Sequence, residues 1–200
     1  MAVSEKHDSR RDQIRTCSQL LSEPYFEQDL FMLIERCGTT LGPLEFIETV
    51  SNAYHALESD MYDEHHPEIN VEEITRLKRF LTSILPVYKS NKLHIVDIGC
   101  GTGYLTQIVL EICQSSNRIS PYLLCLEPSK DMLSICKRRL KDYSNVIFIA
   151  GNIDELISRT LYNQHFDIVL TSSLLHHIPN IYMFGKKVPR LLSPNGHWLM

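Results

Sequence analysis

Four stretches of this 200-residue chain carry the residue types that do ligand chemistry, and each follows a short apolar run. The first is Gly99-Cys100-Gly101-Thr102-Gly103, with Asp97 just ahead of it. Alternating glycines after a strand permit a sharp turn and let a ligand approach without Cβ interference. A helix after such a turn aims its N-terminal N–H groups into the same space. The second is Glu127, whose carboxylate can accept both hydroxyls of a ribose or simply complement a helix start. The third is Gly151-Asn152-Ile153. There a side-chain amide can meet an adenine amino group and a backbone N–H a ring nitrogen, although Asn152 can equally cap a helix. The fourth runs from Asp167 through Thr171 to Leu175-His176-His177. His176 or His177 could orient a substrate or take its proton; packing or capping is the plainer role for each.

The elements that must position these residues follow from periodicity. Residues 1 to about 20 read as a polar arm. Tyr25 to Arg36 has apolar residues at helical spacing, with Gly38 as a stop. Pro43 opens a second helix to about Glu58. Asp60 to Asn70 is polar and reads as a loop, followed by a helix from about Val71 to Leu85, ended by Pro86. The pattern then changes to strand–helix alternation. Strands are predicted at Leu93–Ile98, Tyr122–Leu126, Asn145–Ala150 and Phe166–Leu170. The helices between them run from about Tyr104 to Gln114, from a Ser129 cap to Lys141, and from an Asn152/Glu155 capping box to Leu161. A last helix, Ile181 to Leu192, precedes a turn at Ser193-Pro194-Asn195-Gly196, and the chain stops as it enters a fifth strand.

This order predicts an α/β fold: a Rossmann-like parallel sheet with helices on both faces. The predicted division is an N-terminal helical cap over residues 1–90 and a ligand-binding domain over 91–200. In such a sheet ligands bind outside the carboxyl ends of the strands, where all four stretches fall. The net charge of -4 argues against a nucleic-acid surface, which is usually basic. None of the six cysteines forms a CxxC pair or has zinc-finger spacing, so they read as reduced, small hydrophobes in a cytoplasmic protein. No secretory signal or membrane-length apolar run is present. Asp63, Glu64, His65 and His66 cluster, but neighbours on a loop rarely converge on one ion, and no metal site is expected.

Together the four stretches resemble the class I (Rossmann-like) S-adenosylmethionine-dependent methyltransferases, in the style of those acting on small molecules. Val96-Asp97-Ile98-Gly99-Cys100-Gly101-Thr102-Gly103 is similar to the first motif of that family. Leu126-Glu127-Pro128-Ser129 with Met132-Leu133 is similar to the second. Gly151-Asn152-Ile153 is similar to the third, with asparagine where aspartate is usual, and Phe166-Asp167-Ile168-Val169 with Leu175-His176-His177 to the fourth. Leu191-Leu192-Ser193-Pro194-Asn195-Gly196 resembles the turn into the fifth strand. The resemblance covers about Leu93 to Met200. It implies S-adenosyl-L-methionine as cofactor, held by Asp97, Gly99, Cys100, Gly101, Gly103, Glu127, Pro128, Asn152, Ile153 and Thr171. His176 and His177 are the implied catalytic candidates.

The family core has seven strands, so the last two are expected to be missing and the chain to be a fragment or isoform of a longer protein. The N-terminal helices are expected to act as a lid that chooses the substrate, with Tyr54, Tyr62, His65 and His66 lining it. The expected partner is a small-molecule methyl acceptor. A homodimer could form through the N-terminal helices or the exposed sheet edge. Two other functions compete. One is a non-catalytic, methyltransferase-like binding protein. The other is an NAD-dependent dehydrogenase, against which the spacing argues. Tyr104 stands where that fingerprint needs glycine, and Glu127 follows Gly99 at more than the usual ~20 residues.

Overall fold

The computed structural model describes residues 27–65, 67–88, 92–115, 120–172 and 174–200. The polar arm, Tyr25, Phe26 and His66 lie outside the described residues, as does the side chain of His65. The chain divides into two compact units, Met1–Asp60 and Met61–Met200.

Within the first unit, α1 (Glu27–Arg36) and α2 (Pro43–Glu58) pack through Leu30, Ile34 and Phe46. Gly38 takes a left-handed φ of 62° at the end of α1, as its stop role requires. Proline at the first position of α2 leaves no donor unpaired there.

The second unit starts with α3 (Tyr62–His65) and α4 (Pro67–Ile84). The sequence predicted a loop here. Its polar composition hid a helical start, because Pro67 sits where a helix tolerates proline. The 3₁₀ turn Leu85–Val87 ends this segment. Leu77, Leu81 and Ile84 of α4 join the core of the sheet, so this helix, predicted as part of the cap, packs within the sheet's own unit.

Five parallel strands follow: β1 (Lys92–Ile98), β2 (Ser120–Glu127), β3 (Val146–Ala150), β4 (Phe166–Leu170) and β5 (Leu192–Leu199). Their order is β3-β2-β1-β4-β5, the Rossmann-like arrangement. The connecting helices are α5 (Tyr104–Ser115), α6 (Lys130–Arg139), α7 (Ile153–Ser158) and α8 (Ile181–Lys187).

Strand side chains alternate between two cores, as a period of two demands. Leu93, Ile95, Leu123, Cys125 and Ile168 face one core, packed against α4, α5 and α6. Val96, Ile98, Leu124, Leu126 and Val169 face the other, packed against α7 and α8. Both faces are covered, which explains why the strands read as continuous apolar runs.

Two details differ from the sequence reading. Pro189 breaks the last helix, so α8 stops at Lys187 and a 3₁₀ turn spans Val188–Arg190. The turn at Ser193–Gly196 is an irregularity inside β5 rather than a connection before it. Phe166 pairs with Leu192, the register then shifts, and Ile168 pairs with His197. Asn195 takes a φ of 67° there.

Candidate functional site

The strand order reverses direction between β1 and β4, and in an open sheet of this kind ligands bind beyond the carboxyl ends of the strands at that point. The glycine loop after β1 lies on one side and the segment after β4 on the other. They touch: a Cβ placed on Gly99 would lie 2.7 Å from Leu174 Cδ1.

The loop is fixed by backbone and by one buried acid. Gly99 and Cys100 donate N–H bonds to the Leu126 carbonyl at 2.8 and 3.2 Å. Gly101 N–H donates to Glu127 Oε2 at 3.0 Å, and Ser129 N–H to Glu127 Oε1 at 2.8 Å. The Glu127 carbonyl accepts from Gly151 N–H at 3.1 Å. Glu127 therefore joins the first, second and third stretches. It is 6 % exposed. Burial raises its carboxyl above the ordinary carboxylate range, opposed by the N–H bonds from Ser129 and Gly101.

Gly101 and Gly103 share left-handed backbones, φ 55° and 77°, but differ in surroundings. A Cβ on Gly101 meets nothing within 4 Å; one on Gly103 would lie 2.5 Å from Cys136 Sγ. The first glycine borders open space and the second permits α6 to approach.

Asp97 is buried beneath the loop, and its Oδ2 accepts from Thr106 Oγ1 of α5 at 2.6 Å. Burial raises its carboxyl from an ordinary 3.8 to about 7.

The remaining predicted residues divide. Asn152 forms the expected capping box: Oδ1 accepts from Asp154 and Glu155 N–H at 3.0 and 3.2 Å. That oxygen is thereby engaged, which leaves the side-chain NH₂ as the polar group for a ligand. Ile153 is buried in the α7–α8 core, and Pro128 is exposed at the turn. Thr171 does not present its hydroxyl to the crevice. That hydroxyl donates to the Leu199 carbonyl at 3.3 Å and accepts from Trp198 Nε1 at 2.9 Å, tying β4 to β5. Asp167 stands at the opposite end of the sheet, accepting from His94 N–H and Ser193 Oγ at 2.9 and 3.0 Å. His177 is half-buried in the 3₁₀ turn Leu175–His177. His176 lies in the same turn, with its side chain outside the described residues.

Two groupings escaped the sequence reading. Asp63 of α3 accepts from Thr102 Oγ1 at 2.7 Å and pairs with the Arg139 guanidinium. Arg139 also donates to the Thr102 carbonyl and hydroxyl at 2.9 and 2.8 Å and lies 5.5 Å over the Tyr104 ring. This clamps the glycine loop between α3 and α6. Separately, the sulfurs of Cys100, Cys125 and Cys136 lie within 4.8 Å of one another. Thiol hydrogen bonds from Cys100 and Cys125, with the charges of Arg139 and Lys137, hold Cys136 below the ordinary thiol range.

A parallel sheet of this order, with a glycine loop and a buried acid at its switch point, defines a Rossmann-like nucleoside-binding domain. A family model described as a methyltransferase domain matches residues 89–200, and the chain belongs to that family. S-adenosylmethionine is the cofactor of this class. The chain is similar to the demethylmenaquinone methyltransferase of Leptospira interrogans, 33% identical over 113 residues, 55% of this chain and 43% of that protein. It is also similar to the ubiquinone biosynthesis O-methyltransferase of Bradyrhizobium diazoefficiens, 27% identical over 105 residues, 52% of this chain and 37% of that protein. The chain spans less than half the length of these two relatives. Among solved structures, the DszA carbon methyltransferase is 26% identical with a TM-score of 0.51, covering 62% of this chain and 32% of that one. An S-adenosylmethionine-dependent methyltransferase of Leishmania major shares the fold, with a TM-score of 0.59 at 17% identity, covering 84% and 67%.

Proposed function

We propose that this chain binds S-adenosylmethionine over the glycine loop and that the protein transfers its methyl group to a small-molecule acceptor. The observation that carries this reading is the Glu127 carboxylate beside the open space over Gly101. A carboxylate offers about four lone-pair directions. The N–H groups of Gly101 and Ser129 occupy two of them, one on each oxygen. The others suit the two hydroxyls of a ribose, so the residues present fit a nucleoside donor. Gly101, free of a Cβ, lets the donor approach the backbone, and with its oxygen engaged in the capping box the Asn152 NH₂ suits a ring nitrogen of the base rather than its amino group. Clamping by Asp63 and Arg139 keeps the loop in one conformation before the donor arrives, which lowers the entropy cost of binding.

The cofactor supplies a methyl group already activated on sulfonium. The chain's own residues hold the reactants in line and exclude water. His176 and His177, beyond β4, are the candidates to take a proton from an acceptor that must lose one. The relatives named for quinone pathways support a low-molecular-weight acceptor.

The test is donor titration by calorimetry, followed by incubation with labelled donor and a cell extract fractionated by size. Adenosylmethionine binding with label entering the low-molecular-weight fraction is expected. NAD binding with no response to adenosylmethionine would overturn the donor. Label confined to macromolecules would overturn the acceptor class, and donor binding without any transfer would favour a non-catalytic role. Gly101→Val tests the loop itself. The left-handed backbone costs roughly 1–2 kcal/mol with a side chain, a Cβ there meets nothing within 4 Å, and the variant should fold yet lose donor affinity. Unchanged affinity in a folded variant would make the loop only a turn.

A further inference from the structure

We propose that Cys100, Cys125 and Cys136 form a trigonal thiolate site for one soft, monovalent metal ion of the copper(I) class. The three residues come from three elements: the glycine loop, β2 and α6. Their sulfurs nevertheless converge, all within 4.8 Å of one another. The Cys100 and Cys136 sulfurs are 3.9 Å apart. Three sulfurs around one ion at metal–sulfur distances of about 2.3 Å lie about 4 Å from each other, so little movement closes the set.

Simple packing does not require this. Cys113 is buried as deeply in the same core, 0% exposed like Cys125 and Cys136, and takes no part in the cluster. The donor set decides the ion. Structural zinc sites are almost always four-coordinate, and among the described residues no histidine, aspartate or glutamate ligand atom joins the three sulfurs. Soft thiolates suit copper(I), zinc and iron–sulfur clusters, and of these the last two call for four ligands, so a set of three sulfurs fits copper(I). Arg139, the last residue of α6, offsets part of the negative charge that three thiolates gather. On binding, each thiol that becomes a ligand releases its proton to water, and no electron is transferred.

The test uses the fully reduced 200-residue chain without oxygen, with copper(I) supplied as its bicinchoninate complex. We expect one copper withdrawn per chain and an X-ray absorption spectrum with three sulfur neighbours at about 2.3 Å. Cys136→Ala and Cys125→Ala should weaken retention by on the order of 100-fold, since changes outside the ligand shell already cost 10–100-fold. Cys100→Ser, on the loop, keeps the cores intact and should weaken it similarly while circular dichroism stays unchanged. Cys113→Ala and Cys37→Ser should retain copper. Wild-type retention by Cys100→Ser, loss in Cys113→Ala or Cys37→Ser, a two-sulfur spectrum, or equal retention of zinc(II) would each overturn the proposal. Copper is read without donor or turnover, so failure here leaves the donor site standing.

Discussion

Glu127→Ala weakens adenosylmethionine binding by about 1–3 kcal/mol and lowers the stability of the chain even without the donor. Two separate physical losses combine. The donor loses a carboxyl acceptor for its ribose hydroxyls, and a hydrogen bond is worth about 0.5–1.5 kcal/mol to a neutral group and about 1.5–3 to a charged one. The chain loses the acceptor for Gly101 and Ser129 N–H. Each buried N–H left unpaired costs about 1–3 kcal/mol. Glu127→Gln separates the effects. It keeps one carbonyl acceptor and the side-chain shape, so most stability returns. Its NH₂ faces one of the two backbone donors, so the loop is still perturbed and donor affinity stays reduced. Calorimetric titration gives the first quantity and urea unfolding the second. Donor affinity unchanged in a folded Glu127→Ala variant would remove this residue from the donor site.

The parts legible in the sequence are those that local backbone geometry fixes. The strands of the sheet alternate between two cores, and their apolar runs announced burial on both faces. That the glycine loop and Glu127 fall together at the carboxyl ends of the strands was legible, because a tight turn and a strand-end acid are placed there by local sequence alone. Asp60–Asn70 was misread because polar composition says nothing of helical periodicity, and among the described residues the first buried member of the α4 stripe is Leu77. Thr171 was assigned to the donor from its place after β4, yet its hydroxyl direction depends on Trp198 and Leu199 of β5. Arg139, Asp63 and Thr102 were invisible for the same reason. They lie 37 to 76 residues apart and meet only once α3 and α6 have packed. The three thiols likewise look like separate apolar residues until the loop, β2 and α6 are assembled.

Asp97→Asn should remove a pH dependence that this residue builds into the fold. Asp97 is 4% exposed, and burial raises its carboxyl from 3.8 to about 7. Between those values the folded chain holds a proton that the unfolded chain has released. Its contribution is therefore whole below about pH 4, falls as pH rises towards 7, and levels off above that. The loss across the interval is on the order of 4 kcal/mol. Asparagine carries no charge at any pH and its carbonyl still accepts from the Thr106 hydroxyl. Urea unfolding of both chains from pH 4 to 8 should show the variant gaining on the wild type by this amount, while the other ionisable groups cancel between them. Parallel curves would mean that Asp97 stays ionised in the folded chain. The acid costs stability near neutral pH, but its bond to Thr106 fixes the first turn of α5. That turn aims helix N–H groups into the space over the glycine loop. If so, Asp97→Asn keeps the helix in place through its carbonyl, and donor affinity should survive where Asp97→Ala loses it.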